Sequence, residues 1–143
     1  MAVEAEIKVE PFPASRFFAN ATAQRVRIVD LNQDSPGVSQ LKGTAGADFD
    51  LGRQVTVYGA ASFLGRRRQP DYATETPSDR YVSPYLFVSA SLTFRTPLPG
   101  VEMQASGFNL LNAKIRDPFD GPALPDEIPG EGASGWLDLR LRF

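Results

Sequence analysis

Few side chains in this chain are equipped for covalent or acid–base chemistry. Histidine and cysteine are absent, so no Ser-His-Asp or Cys-His nucleophile system, imidazole-ligated zinc or iron, or disulfide can be assembled from it. The lysines are Lys8, Lys42 and Lys114 alone, none in a motif that tunes an amine as a base. Glu4, Glu6 and Glu10 recur at even spacing, which puts them on one face of an extended strand. They read as charges facing water, because a glycosidase pair needs two carboxylates across a cleft. Two clusters remain with ligand chemistry. Arg66, Arg67 and Arg68, with Tyr72, Arg80 and Tyr81, form a basic and aromatic patch suited to an anionic ligand or to lipopolysaccharide phosphates; the competing reading is a solvated loop. Asp117, Asp120, Asp126 and Glu127 offer the oxygens calcium takes, without the alternate spacing of a calcium loop. A net charge of −2 gives no footprint for nucleic acid. The expectation is a chain without enzymatic activity, cofactor or metal.

The elements that carry these residues have a period of two, the strand period. Val3, Ala5, Ile7 and Val9 alternate with Glu4, Glu6, Lys8 and Glu10 from the start of the chain, with no basic-then-apolar leader ahead of them. Pro11 to Ser15 reads as a tight turn. A second segment spans about Phe17 to Asp30, followed by a polar break at Asn32 to Gly37. Leu41 to Leu51 and Val55 to Phe63 alternate cleanly across Gly52-Arg53. A long polar loop from about Gly65 to Ser83 precedes Tyr85 to Arg95. Thr96-Pro97-Leu98-Pro99-Gly100 turns the chain into a sixth segment from Val101. A Pro- and Gly-rich loop from Asn112 to Ser134 leads to the last, where Leu137, Leu139, Leu141 and Phe143 oppose Trp136, Asp138, Arg140 and Arg142.

No apolar run reaches the roughly 18 residues a membrane helix needs, but alternating strands that cross a bilayer average to mild polarity. Most segments are near the roughly 9–11 residues a tilted membrane strand requires. Short turns follow Val9, Leu51 and Arg95; long loops follow Asp30, Leu64 and Leu111. That sorting is the one outer-membrane barrels show. The expected fold is therefore all-β: an antiparallel up-and-down transmembrane β-barrel segment of about seven strands in meander order. A soluble β-sandwich binding module and a small stand-alone barrel with a structural or adhesive role remain as alternatives, the latter needing an eighth strand.

The end of the chain carries a resemblance. Val101-Glu102-Met103-Gln104-Ala105-Ser106-Gly107-Phe108-Asn109-Leu110-Leu111-Asn112 is similar to the penultimate strand of TonB-dependent receptors, which closes on an Asn-Leu-Phe/Leu-Asp/Asn signature. Ile128-Pro129-Gly130-Glu131-Gly132, then Gly135-Trp136-Leu137-Asp138-Leu139-Arg140-Leu141-Arg142-Phe143, resembles the family's last loop and strand. Asp50-Leu51-Gly52-Arg53 and Phe63-Leu64-Gly65-Arg66-Arg67 look like late barrel strands. The resemblance covers nearly the whole chain and is sharpest after Val82. It implies that residues 1–143 are the C-terminal portion of a 22-stranded barrel, without the plug domain and the earlier strands, in the outer membrane of a Gram-negative bacterium. The implied function is uptake of a siderophore, cobalamin or similar scarce ligand. Implied partners are outer-membrane lipid, the rest of the barrel and plug, the barrel assembly machinery and, indirectly, the energy-transducing inner-membrane complex. Trp136, Leu137, Leu139, Leu141 and Phe143 resemble the signal that the assembly machinery reads.

Overall fold

The computed structural model describes residues 1–30, 33–69, 80–119 and 127–142. One seven-stranded sheet dominates it, in the order of the chain. Its strands are β1 (Ala2–Val9), β2 (Ser15–Gln24), β3 (Leu41–Leu51), β4 (Val55–Leu64), β5 (Tyr85–Arg95), β6 (Val101–Phe108) and β7 (Ser134–Leu141). Every neighbouring pair is antiparallel. β1 and β7 lie at the two edges and do not pair with each other, so the sheet is an open arc rather than a closed barrel. The expected meander is present with its expected strand number.

Register turns the alternation into two chemically distinct faces. Following one row across the sheet, Ala5 pairs Ala21, Ala21 pairs Gly43 and Gly43 pairs Phe63. Phe63 then pairs Leu86. Nearer the other end, Val57 pairs Leu92, Leu92 pairs Ala105 and Ala105 pairs Leu137. No charged residue falls on this face within the seven strands. The opposite face carries Glu4, Asn20, Thr44, Ser62, Thr93, Gln104 and Asp138, each paired with a residue of its own set. A one-residue slip would exchange the two faces, so the pattern fixes the register.

The apolar face is the uncovered one. Leu137, Leu139 and Leu141 are 69%, 61% and 53% exposed, and Val3, Ile7, Leu41, Leu86, Leu92 and Met103 are exposed beside them. Beyond the large sheet, the described residues form only three ribbons of two- and three-residue strands. A β-sandwich requires a second sheet laid on the apolar face; that alternative fails here. The polar face is crowded instead. The Phe18 ring covers Gly46, where an added Cβ would lie 2.7 Å from Cζ, and stacks on Tyr58 at 6.1 Å between centroids. Thr44 and Ser62 share a 3.1 Å hydrogen bond. A trough of about 490 Å³ runs over this face between Glu4, Glu6, Thr22, Thr44, Ser62 and Tyr85.

The two ends of the arc differ as the loop sorting requires. Short turns join β1 to β2, β3 to β4 and β5 to β6, and Gly52 and Gly100 take φ of 74° and 77° there, values that strain any residue with a Cβ. Gly100 is constrained a second time: its carbonyl accepts the Arg142 amide at 2.8 Å, and a Cβ would run into the Arg142 carbonyl. The long connections lie at the opposite end, each carrying a ribbon: Arg27–Ile28 with Gln33–Asp34, Arg67–Arg68 with Tyr81–Val82, and Arg116–Pro118 with Glu127–Pro129. The second strand is shorter than alternation predicts. It ends at Gln24 rather than Asp30: the Arg25 amide still meets the Met1 carbonyl in register at 2.9 Å, and beyond it Arg27–Ile28 pairs with Gln33–Asp34 instead of with the large sheet.

Candidate functional site

The described residues that are most deeply buried lie chiefly at the long-loop end, and most of them are polar. Ser39, Arg67, Gln69 and Asn109 are buried there with Val82 and Ile115. Loop residues buried this deeply need such a network, since buried polar groups must find partners.

Arg67 is its centre. It is 7% exposed, and the ribbon register opposes it to Val82. Its Nη1 donates to Asp117 Oδ1 at 2.6 Å and its Nη2 to the Arg116 carbonyl. The guanidinium also lies 5.5 Å from the centroid of the Tyr85 ring, a cation–π placement. Gln69 Nε2 donates to the Phe119 carbonyl at 3.0 Å, again across to the third long loop. The first loop joins through the bridge between Ser39 and Arg67 and through the Gly37 amide on the Arg68 carbonyl at 2.9 Å.

The other residues of the basic and aromatic patch occupy different settings. Arg66 is exposed and lies over the Tyr81 ring at 5.0 Å. Tyr81 is exposed and paired in register with Arg68; Arg68 and Arg80 both have partners of their own. Tyr72 lies outside the described residues. The structure thus brings Arg66, Arg68 and Tyr81 together on one ribbon while Arg67 turns inward to Asp117. Of the acidic residues, Asp117 is taken by Arg67 and Glu127 lies 3.9 Å from Arg116; Asp120 and Asp126 lie outside the described residues. A second ionic cluster marks the first loop. Asp34 accepts Arg25 Nε at 2.8 Å and Gln40 Nε2 at 3.0 Å, and the Arg25 hydrogen bond holds its carboxyl below the usual range.

Asn109, visible in the sequence only as part of a signature, holds the neck of the third long loop. It is fully buried at φ 49°, a left-handed conformation that Asn tolerates better than most residues. Its Nδ2 donates to the carbonyls of Ala113 at 2.9 Å and Glu131 at 3.1 Å, and its Oδ1 accepts the Ala113 amide at 2.8 Å. Asn112, also at φ 49°, accepts the Ala133 amide at 3.2 Å. The two asparagines pinch the neck of the third loop. The signal was present in the side-chain chemistry, since Asn is suited to both the backbone angle and the hydrogen bonding of a loop neck.

The turn end carries charges instead, in a ladder on the polar face. Arg16 meets Asp48 at 2.8 Å. Thr56 donates to Asp50 at 2.6 Å and accepts from Arg95 at 3.3 Å. Arg95 and Arg140 flank Glu102 at 3.6 and 3.2 Å, and Arg140 reaches Gln104 at 3.2 Å. Glu6 is 2.7 Å from Lys8 on the same face. In the terminal strand, Trp136 pairs with Ser106 on the polar face, whereas Leu137, Leu139 and Leu141 line the apolar one; Phe143 lies outside the described residues.

No protein-family model and no curated sequence matches the chain. Solved structures do. The closed form of the ferric-catecholate import receptor Fiu from Escherichia coli K12 matches 96% of this chain with 20% of its own, at a TM-score of 0.75 and 19% identity. A variant of the ferric enterobactin receptor PfeA from Pseudomonas aeruginosa, with enterobactin bound, matches 96% with 22% of its own, at 0.77 and 12%. The siderophore receptor PiuA from Acinetobacter baumannii matches 98% with 21%, at 0.69 and 16%. The chain spans about a fifth of the length of these receptors, and its fold is the fold of that part of their structures. The resemblance read from the last two strands holds at that level.

Proposed function

We propose that this chain is a section of barrel wall in an outer-membrane receptor that takes up a siderophore, cobalamin or similar scarce ligand, with no catalysis of its own. One observation carries the reading: seven strands in unbroken register separate an uncharged, apolar outer face from a polar inner one. In water such an apolar face would be a large liability, at about 25 cal/mol for each Å² left wet. In a bilayer it is the required surface. The open edges support the same reading, because each unpaired backbone group in hydrocarbon costs several kcal/mol. β1 and β7 therefore need further strands, and residues 1–143 read as the C-terminal portion of a larger barrel closed around a plug domain. The fold likeness to siderophore and ferric-catecholate receptors supports this.

In that arrangement the short turns face the periplasm and the three long loops face outward. Arg66, Arg68 and Arg80, with Tyr81 and Tyr72, are the proposed contacts for an anionic ligand, backed by Arg67. The terminal strand, with Trp136, Leu137, Leu139, Leu141 and Phe143, is the proposed recognition element for the barrel assembly machinery. The energy-transducing inner-membrane complex would act through the plug.

Cysteine scanning of β5 in Gram-negative outer membranes tests the reading, since the chain has no cysteine of its own. Cysteines at positions 88, 90 and 92 should react with a lipid-soluble maleimide and resist a charged one; those at 89, 91 and 93 should do the reverse. Equal labelling of both sets, or recovery of the chain as a soluble monomer, would refute the assignment.

A further inference from the structure

At the long-loop end the apolar face of the wall runs directly into arginine. The row Val3, Ala23 and Leu41 is paired in register across β1, β2 and β3. One step further along, Met1 and Arg25 bond each other through their backbones: the Arg25 amide donates to the Met1 carbonyl at 2.9 Å, and the Met1 amino group to the Arg25 carbonyl at 3.2 Å. Side chains two residues apart on a strand leave by the same face, so Arg25 stands where the next apolar residue of the row would be. A hollow of about 520 Å³ opens here, lined by Met1, Val3 and Ala23 together with Arg25, Asp34 and Arg66. Asp34 is the one carboxylate among its described lining residues, and it is shared. Its Oδ1 lies 2.8 Å from Arg25 Nε and 3.8 Å from Arg27 Nε. Arg66 reaches the hollow while its guanidinium lies over the Tyr81 ring at 5.0 Å. All three arginines are exposed, so cationic charge is in excess at the border of an apolar surface.

We propose that this hollow seats an outer-leaflet lipid whose headgroup carries phosphate: Arg25, Arg27 and Arg66 hold the phosphate, and Val3, Ala23 and Leu41 meet the start of an acyl chain. Guanidinium suits the first task, since its planar fork matches phosphate oxygens and is weakly hydrated. Tyr81 suits the same level, because aromatic side chains with a polar tip collect where headgroups meet hydrocarbon. Continuity with the apolar row favours a lipid over a free anion, which would use the guanidiniums and leave Val3, Ala23 and exposed Leu41 without a partner. A zwitterionic headgroup fits less well, because it brings its own cation to a site already rich in them. The inference rests on the wall reading, and it moves Arg66 from the ligand contacts to the lipid side of the rim.

Fluorescence quenching on the full chain in phosphatidylcholine vesicles tests it. A bimane label on Leu41→Cys reports the hollow, and one on Leu92→Cys reports the middle of the same face; the chain has no cysteine of its own. The quencher is either phosphatidic acid or phosphatidylcholine with brominated acyl chains, at equal mole fraction. At position 41 the brominated phosphatidic acid should quench about threefold more strongly, and at position 92 the two should quench alike. Arg25→Gln combined with Arg66→Gln should abolish the excess at 41 and keep quenching by brominated phosphatidylcholine, which reports that the wall is in place. Asp34→Asn, which removes the competing carboxylate, should enlarge the excess. If the double variant does not insert, Asp34→Asn decides, and an excess that stays the same or falls rejects the proposal. Equal quenching at 41 by the two lipids, or loss of the excess when inorganic phosphate is added, overturns the lipid site and leaves the wall reading standing. Absence of quenching at both positions removes the wall and this site with it.

Discussion

In the seven-stranded wall a side chain is sorted by the face it leaves; in the loop cap it is sorted by whether it finds a partner. The wall leaves Leu92, Leu137 and Leu139 uncovered on one side and pairs its charges in a row on the other. Ala60 is the one wall residue among the buried apolar set of the described residues. The cap places Arg67, Gln69, Ser39 and Asn109 inside and satisfies most of their polar atoms. On the proposed reading the wall is stabilised by the lipid around it, whereas the cap rests on hydrogen bonds it makes with itself. Polar burial of this kind rigidifies only while its members are satisfied, which makes the cap specific and the wall forgiving along its faces.

Four experiments bear on that contrast, from the largest effect to the smallest. Leu92→Arg puts a charge in the middle of the apolar face, where the cost is about 2–4 kcal/mol; Thr93→Arg, one residue along on the polar face, should change stability by less than about 0.5 kcal/mol. Urea midpoints in lipid vesicles measure both, and similar losses would erase the distinction between the faces. Asn109→Ala should cost about 2–3 kcal/mol by stranding the Ala113 and Glu131 groups it serves. Limited proteolysis should then cut within residues 109–133 while the wall stays intact. Gly46→Ala and Gly59→Ala sharpen the comparison on two paired strands. A Cβ at Gly46 meets the Gly59 carbonyl at 2.6 Å and the Phe18 ring at 2.7 Å, whereas one at Gly59 meets nothing within 4 Å. The first should lose about 1–3 kcal/mol and the second almost nothing, by the same urea assay.

The smallest effect concerns pH. The folded-state pKa of Asp34 is depressed, first by its hydrogen bond from Arg25. Its pairing is thus fully present above the ordinary carboxylate value and lost as pH falls through the lower, folded one. Exchange of the Ser35 amide, bonded to the Val26 carbonyl at 2.8 Å, should rise over that acidic window after correction for intrinsic rate. Asp34→Asn should remove the dependence.

The wall was legible in the sequence because its rule is local. Leu41 to Leu51 and Tyr85 to Arg95 have the bounds that alternation assigns them. The overrun of the second strand has the same origin: Arg27–Ile28 is extended in its ribbon, so the period of two persists past the point where pairing with β3 has ended. The cap was legible only as a set of polar loops. Nothing within the Arg66-Arg67-Arg68 run marks the middle arginine as the buried one, because its partner Asp117 stands 50 residues on. Asn109 was visible as a motif, but what it does depends on Glu131 meeting it across the loop.

The asparagine neck also bears on the order in which the wall can form. β1–β2, β3–β4 and β5–β6 are hairpins whose ends a short turn already holds close, whereas β7 reaches β6 only after residues 109–133. Closing a segment of that length costs chain entropy that grows as about (3/2)RT ln n. By joining Asn109 to Glu131 and Asn112 to Ala133, the neck meets that cost with side-chain hydrogen bonds that hold the two ends of the segment together. β7 then starts beside β6 at the Phe108–Ser134 pair, with its register to β6 set from that end.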